Sequence, residues 1–342
     1  MVIPQEQRDL LLHLEAGLQD HPFPPQLVIE TTSRCNMKCL HCSHKEMKRP
    51  REDMAEGLFK RIVEEIAREK PDCEIWPTFY GEALLLGDTL WRWLGYAAAI
   101  GCENIVLNSN GILLERYIDQ VLASPLRRFI LSLDGFQPET FKKIRVGGSR
   151  NKIFAAVEKL LRRKEELGQQ YPIIQCQFSV MKENEAEVQD FTEFWQARQA
   201  EVKMRRMLTW TSTGSIRVPG LKNEPGFRVA CPWGNNAAAI HQNGNLVTCA
   251  VDYEGGFVAG NVADKTIKEI WQGAHKQRVR DPHRQHQWDK IPAICQTCPD
   301  WQVVGARYLG TEGKSAWSRP FWHTDTAPQP SPDPEQAGQK TT

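Results

Sequence analysis

Residues 31–42 read TTSRCNMKCLHC, which places Cys35, Cys39 and Cys42 within eight positions. The spacing is tighter than a disulfide framework needs and one cysteine short of a closed zinc site. The overlapping run QLVIETT (26–32) is apolar and β-branched, so the thiols follow the end of a strand. Similar runs recur at EIWPTFY (74–80), NIVLNSN (104–110), RFILSLD (128–134), IIQCQFSVM (173–181) and VKMRRML (202–208). Between them lie segments of helical period, as in LFKRIVEEIAREK (58–70), where Leu58, Ile62 and Ile66 repeat every four residues. Six strand-helix repeats predict an α/β fold whose parallel sheet curves into a partial (β/α)6 TIM-like barrel. In such barrels the site lies at the C-terminal strand ends, where the cysteine run stands.

Composition narrows the function. The 342 residues are 41% hydrophobic and 25% charged, as in an ordinary globular protein. Lys and Arg number 43 against 42 Asp and Glu, and this net charge of +1 gives no reason to expect nucleic acid or an anionic membrane as partner. The partner is expected to be a small-molecule substrate. The start MVIPQEQRDLLLHLEAGLQD lacks a signal-peptide pattern, and no run approaches the roughly 18 apolar residues of a membrane span, so a cytoplasmic location is expected. Ten cysteines in a reducing compartment point to metal or catalytic thiols.

Four regions are expected. Residues 1–24 form a helical extension with Leu10, Leu11, Leu14 and Leu18 as its apolar stripe, and residues 25–208 the barrel. Residues 209–310 form a smaller turn-rich unit running from TSTGSIRVPG (211–220) through CPWGNNAAAIHQNGNLVTCAVD (231–252) to the helical TIKEIWQG (266–273). Within it HQNGN (241–245) predicts a hairpin, Asn-Gly taking the positive φ angles of a tight turn. A unit of that size buries little core of its own, and metal would supply the missing stability. Residues 311–342, ending in the polar and Pro-rich FWHTDTAPQPSPDPEQAGQKTT, read as a disordered tail.

Cys35, Cys39 and Cys42 can wrap one face of an Fe–S cluster, and a [4Fe–4S] cube held by three thiolates keeps one iron open for chemistry. The structural alternative is a zinc site completed by His41 or His44. At this point the residues resemble a family. CxxxCxxC after the first strand resembles the signature of the radical S-adenosylmethionine (SAM) superfamily, whose open iron chelates the amino and carboxylate groups of SAM. YGEAL (80–84) resembles the family's GGEP motif, with Ala83 in place of its Pro; this implies SAM contacts for Gly81 and Glu82. NSNG (108–111) and SLDG (132–135) fall where the family places further contacts, which implies Asn110, Ser132 and Asp134. In ETFKKIRVGG (139–148) Arg145 matches an arginine that meets the SAM carboxylate, and His41 takes the position of an aromatic residue that touches the adenine. Read alone, Asn110, Ser132 and Asp134 are also turn formers at loop starts.

Cys231, Cys249, Cys295 and Cys298 suffice to ligate one cluster completely, or a zinc ribbon. Their setting, CPWGNNAAAIHQNGNLVTCAVD followed by GNVADKTIKEIWQG and CQTC, resembles the SPASM or shortened twitch extension of radical SAM enzymes, which holds auxiliary [4Fe–4S] clusters. Four cysteines imply one. Of the rest, Cys73 and Cys102 precede strands, and alternation in strand five puts Cys176 opposite Gln175, Gln177 and Ser179, as a packed core thiol.

The resemblance implies two [4Fe–4S] clusters, SAM, and a flavodoxin or ferredoxin-type electron donor. The single-auxiliary-cluster arrangement is similar to that of aminocyclitol and aminosugar radical SAM dehydrogenases, which implies oxidation of a secondary alcohol without nicotinamide; no GxGxxG follows the first strand. Substrate contacts are expected from Gln175, Gln177, and Arg205 or Arg206, and no general base is apparent in the sequence. Peptide modification, metal-cofactor maturation and a zinc-stabilised binding module are the alternatives. Against the first stand only about 25 residues before strand one, too few for the peptide-binding element of many peptide modifiers.

Overall fold

The structure, a computed structural model, describes residue 3 and residues 5–209, 226–302, 306–312 and 315–320. After helix α1 (Gln5–Ala16) come six parallel strands, β1 (Gln26–Ile29), β2 (Glu74–Trp76), β3 (Asn104–Ser109), β4 (Arg128–Ser132), β5 (Ile173–Val180) and β6 (Glu201–Arg206). Each pairs with the next in sequence order. Helices α2 (Glu56–Glu69), α3 (Asp88–Ala99), α4 (Leu114–Ala123), α5 (Pro138–Ile144), α6 (Arg150–Glu166) and α7 (Val188–Gln196) occupy the crossovers, as parallel pairing demands. The result is the expected partial barrel.

Strand parity divides its two faces. Leu27, Ile75, Leu107, Phe129, Cys176 and Val202 point outward into one apolar core with Ile62 and Ile66 of α2 and Trp93 of α3. Gln26, Asn108, Ser132, Gln177 and Lys203, at the alternate positions, line an interior cavity. Cys176 is therefore core, as parity predicted. Cys73 and Cys102 are buried as well, their thiols donating to Pro24 O (3.3 Å) and Val63 O (3.5 Å).

The barrel does not close. Strand β7 (Ala237–Ile240) adds parallel to β1 and is followed by antiparallel β8 (Asn245–Val247) and β9 (Val258–Asn261). At the other edge β10 (Ala306–Glu312) adds antiparallel to β6, with β11 (Ser315–Pro320) beside it, giving one continuous sheet of eleven strands. Both edges of the six-strand unit are thus covered.

Four expectations change. The unit after the barrel does not depend on a small core of its own: Ala238, Ile240, Leu246, Ile267, Ile270 and Trp271 join the barrel's core, because β7 extends the barrel sheet. In the hairpin only Gly244 takes a positive φ (+89°), and a Cβ there would meet Asn261 Oδ1 at 2.7 Å. In α1 Leu11 is buried against Val229 and Trp301 while Leu10 is 42% exposed, since neighbours about 100° apart cannot share one narrow contact line. Strand pairing reaches residue 320, into the stretch expected to be a disordered tail. Residues 321–342, and TSTGSIRVPG (211–220), lie outside the described residues.

Candidate active site

The cysteine loop is fixed at both flanks. Behind it Thr31 Oγ1 donates to Pro77 O (2.8 Å), Thr32 Oγ1 to Asp53 Oδ1 (2.6 Å), and Ser33 Oγ accepts from Glu52 N (2.8 Å). Within it the amides of Lys38 and Leu40 donate to Val146 O (2.9 Å) and Ile144 O (2.8 Å). These two bonds hold the loop against Arg145. Cys35, Cys39, Cys42 and His41 all line the barrel cavity, of about 220 Å³, as do Gly81, Glu82, Asn110, Ser132, Asp134 and Arg145. The motifs expected to surround SAM are therefore brought together at one end of the barrel.

Their side chains are interlocked. Gly81 is obligatory, since a Cβ would stand 2.0 Å from Thr32 O. Glu82 is wholly engaged, accepting at Oε1 from Ser109 Oγ (2.9 Å) and Leu84 N (3.1 Å) and at Oε2 from Asn110 N (2.7 Å). Burial raises its pKa. Its role supported by this geometry is to tie the β2 loop to the end of β3. Asn110 donates to Asn36 Oδ1 (2.7 Å) in the cysteine loop. Asp134, at φ +52°, accepts from Ser179 N (2.7 Å) and holds Arg145 Nη1 (3.3 Å) and His41 Nε2 (3.5 Å) with its other oxygen. Burial lowers the His41 pKa to about 4, so the ring is neutral near pH 7. His44 is not poised to close a zinc site: its Nε2 lies 2.8 Å from Ser33 O.

A polar ladder crosses the barrel floor, Gln177 Nε2 donating to Ser132 Oγ (3.1 Å) and Ser132 Oγ to Asn108 Oδ1 (2.9 Å). Ser132→Ala leaves both outer groups without this partner and is expected to cost about 1–3 kcal/mol, read as a lower urea midpoint. Gln175 donates instead to Glu201, beneath the cavity. Arg205 Nε donates to Ser179 Oγ (3.1 Å) in the cavity wall. Parity allowed only one of Arg205 and Arg206 to face inward, yet both line the cavity, because Arg206 is the last residue of β6 and sits at its rim.

Cys231, Cys249, Cys295 and Cys298 line a second, apolar cavity together with Trp233, Arg228 and His283. Arg228 Nη2 donates to Cys295 O (2.6 Å), bracing the CQTC turn. Leu208, Trp233 and Ala250 line both cavities and form a common wall. Elsewhere the halves are tied by Tyr80 Oη donating to Ala250 O (3.3 Å), and by Arg49, which binds Glu30 bidentately (2.5 and 2.6 Å), Gln242 Oε1 (2.6 Å) and Tyr253 O (2.6 Å).

Residues 29–192 match the family model of the radical SAM superfamily, and residues 231–299 match SPASM, an iron–sulfur cluster-binding domain. The chain carries a radical SAM domain followed by a SPASM domain. Among its relatives is a GTP 3′,8-cyclase of Clostridium botulinum, 30% identical over 146 residues, which are 40% of this chain and 43% of the relative. The chain thus matches less than half the length of such curated relatives. Solved structures of similar fold include BtrN in complex with AdoMet and 2-DOIA (19% identity, TM-score 0.57, 82% of this chain and 94% of that one) and Streptococcus suis SuiB bound to S-adenosylmethionine (14%, 0.61, 83% and 72%).

A radical SAM domain binds SAM and a [4Fe–4S] cluster, and a SPASM domain binds auxiliary Fe–S clusters. The residues fit both groups. Three cysteines share the cavity with two buried nitrogens, His41 Nδ1 and Arg145 Nε, that have no hydrogen-bond partner among the described residues. The second cavity brings four thiols to one apolar space, the donor set of a fully ligated cluster. No described helix is long and apolar enough to cross a membrane. Sequence reasoning missed Trp76, Asn108 and Lys203 in the radical SAM cavity and Trp233 in the wall. Parity with Gln177 and Arg205 was the signal available for Lys203, once the β5–β6 register was known.

Proposed function

We propose that this protein dehydrogenates a secondary alcohol of a sugar or cyclitol to a ketone. The observation that carries the reading is the common wall of Leu208, Trp233 and Ala250: a cavity with three cysteines and an open end adjoins one with four. When bound, SAM and its cluster supply a 5′-deoxyadenosyl radical able to remove a hydrogen atom, and a fully ligated auxiliary cluster supplies a one-electron acceptor. The chain's own part is to hold and shield. Cys35, Cys39 and Cys42 would hold the first cluster, and Cys231, Cys249, Cys295 and Cys298 the second. His41, Gly81, Asn110, Ser132, Asp134 and Arg145 would surround SAM, with Glu82 fixing the loop beneath it.

Gln177, Arg205 and Arg206 line the same cavity and carry N–H donors suited to hydroxyl groups. The likeness in fold to BtrN, solved in complex with AdoMet and 2-DOIA, supports this reading. A second reading, peptide modification, draws on the likeness to SuiB bound to the precursor peptide SuiA (13% identity, TM-score 0.60). The dehydrogenase reading places residues 25–208 and 209–310 as the two working units, in the cytoplasm, with a flavodoxin or ferredoxin-type donor.

The test is stoichiometry. Anaerobically reconstituted protein, given a panel of aminocyclitols and aminosugars, is expected to form one 5′-deoxyadenosine per ketone. A crosslinked peptide with no ketone from any alcohol would overturn the reading.

A further inference from the structure

Reducing an Fe–S cluster adds an electron to a site that already carries the negative charge of its thiolates, so nearby charge and hydrogen bonds to sulfur set the potential. Among the described residues, Arg228 is the only lysine or arginine in the lining of the second cavity. Its guanidinium is fastened at the CQTC turn, Nη2 donating to Cys295 O (2.6 Å) and Nη1 to Gln296 O (3.2 Å). The rings of Trp288 and Trp301 stand beside it, their centroids 5.2 and 5.9 Å from Cζ. Nε is buried and has no hydrogen-bond partner among the described residues. The charges that act on Arg228 are those of Cys231, Cys295 and Cys298, with no carboxylate among them.

A half-buried cation without a carboxylate partner needs another counter-charge. We propose that Arg228 is the counter-cation of the auxiliary cluster and raises its reduction potential by stabilising the reduced form. This rests on the part of the proposed function that gives Cys231, Cys249, Cys295 and Cys298 an auxiliary [4Fe–4S] cluster, and it holds whatever the substrate. The entering electron makes the site more negative by one charge, and the guanidinium, always protonated, neither takes up nor releases a proton as this happens. The sulfurs of a cluster are acceptors of the kind that Nε lacks. A cluster held at a higher potential is the better acceptor for the electron of a substrate radical.

Asp300 is the opposing charge in the same lining. It is buried, its Oδ1 accepts from Thr209 N (2.7 Å), and its own amide donates to Cys298 Sγ (3.4 Å). The carboxylate pulls the potential down, while that amide and the guanidinium pull it up. Leu208, Trp233, Val251 and Trp301 line the space around the thiols, and charges with apolar groups between them are screened far less than charges in water. The contribution of Arg228 should therefore be large enough to read directly.

Arg228→Gln removes the charge and keeps a donor for Cys295 O, whereas Arg228→Lys keeps the charge and loses the fork. The full chain, reconstituted anaerobically, is reduced stepwise and followed by electron paramagnetic resonance; SAM perturbs only the cluster with an open iron, so the SAM-insensitive signal belongs to the auxiliary one. In Arg228→Gln the equilibrium constant for reducing that cluster is expected to fall at least about tenfold, a midpoint lower by about 59 mV for one electron. Arg228→Lys should stay within about threefold of the unsubstituted protein. An auxiliary cluster lost from Arg228→Gln but kept in Arg228→Lys would likewise assign the role to the charge. An unchanged midpoint in Arg228→Gln, an equal fall in Arg228→Lys, or loss of the cluster from both variants would overturn the assignment and leave Arg228 a brace of the CQTC turn. Absence of any SAM-insensitive cluster from the unsubstituted protein would instead defeat the assignment of the four thiols, so the two failures are distinct.

Discussion

Replacing Cys295 and Cys298 together by alanine is expected to abolish ketone formation while leaving SAM cleavage intact. Both thiols line the second cavity and neither touches the first. The substitutions leave Cys231 and Cys249, two ligands where a complete cluster needs four. Iron content should fall from about eight to about four per chain, with visible absorption near 400 nm roughly halved. The cysteine loop, anchored through Thr31, Thr32, Ser33 and the amides of Lys38 and Leu40, is untouched, so 5′-deoxyadenosine should still form. Retention of ketone formation at four iron per chain would remove the auxiliary cluster from the oxidation. Loss of all eight irons would mean that the second site holds the first together, and deoxyadenosine formation would then vanish with them.

Much of this arrangement was legible because the sequence repeats one physical theme. A parallel strand buried on an outer apolar face and an inner polar face writes that alternation into its residues, as in Gln175, Gln177 and Ser179 against Cys176 and Phe178. The cysteine spacings were legible for a similar reason, since a cluster restricts how far apart its ligands fall along a loop. What stayed hidden depends on partners distant in the chain. VKMRRML does not state that Lys203 is buried; that follows from Trp76 and Glu74 across the barrel and from β10 closing the edge of β6. Nor does CPWGNNAAAI state that its strand pairs with β1, which is why the second unit was expected to lack core. Asn243-Gly244 announced a turn correctly, but the four-residue connection needs only Gly244 at positive φ.

Arg49→Ala is expected to be the most destabilising single change at the junction of the two halves, at about 3–5 kcal/mol. Arg49 comes from the loop after the radical SAM cysteines. It satisfies both oxygens of Glu30, which is fully buried at the end of β1, and reaches Gln242 and Tyr253 in the SPASM domain. Removing it strands a buried carboxylate beside the hairpin turn. Burial already raises the Glu30 pKa against the pull of Arg49, and without the guanidinium it rises further. The sign of the pH effect follows: with a folded pKa above the unfolded one, the native state binds more protons between the two values, and stability falls as pH rises through that window. The deficit of Arg49→Ala in urea denaturation should therefore be smaller at pH 5 than at pH 8. Glu30→Gln introduced beside Arg49→Ala should recover part of the loss at pH 8, because the amide oxygen can still accept from Gln242 N (3.2 Å to Glu30 Oε2) without carrying charge. A deficit independent of pH, or no recovery in the double variant, would assign the cost to lost contacts with Tyr253 and Gln242 and not to the buried charge.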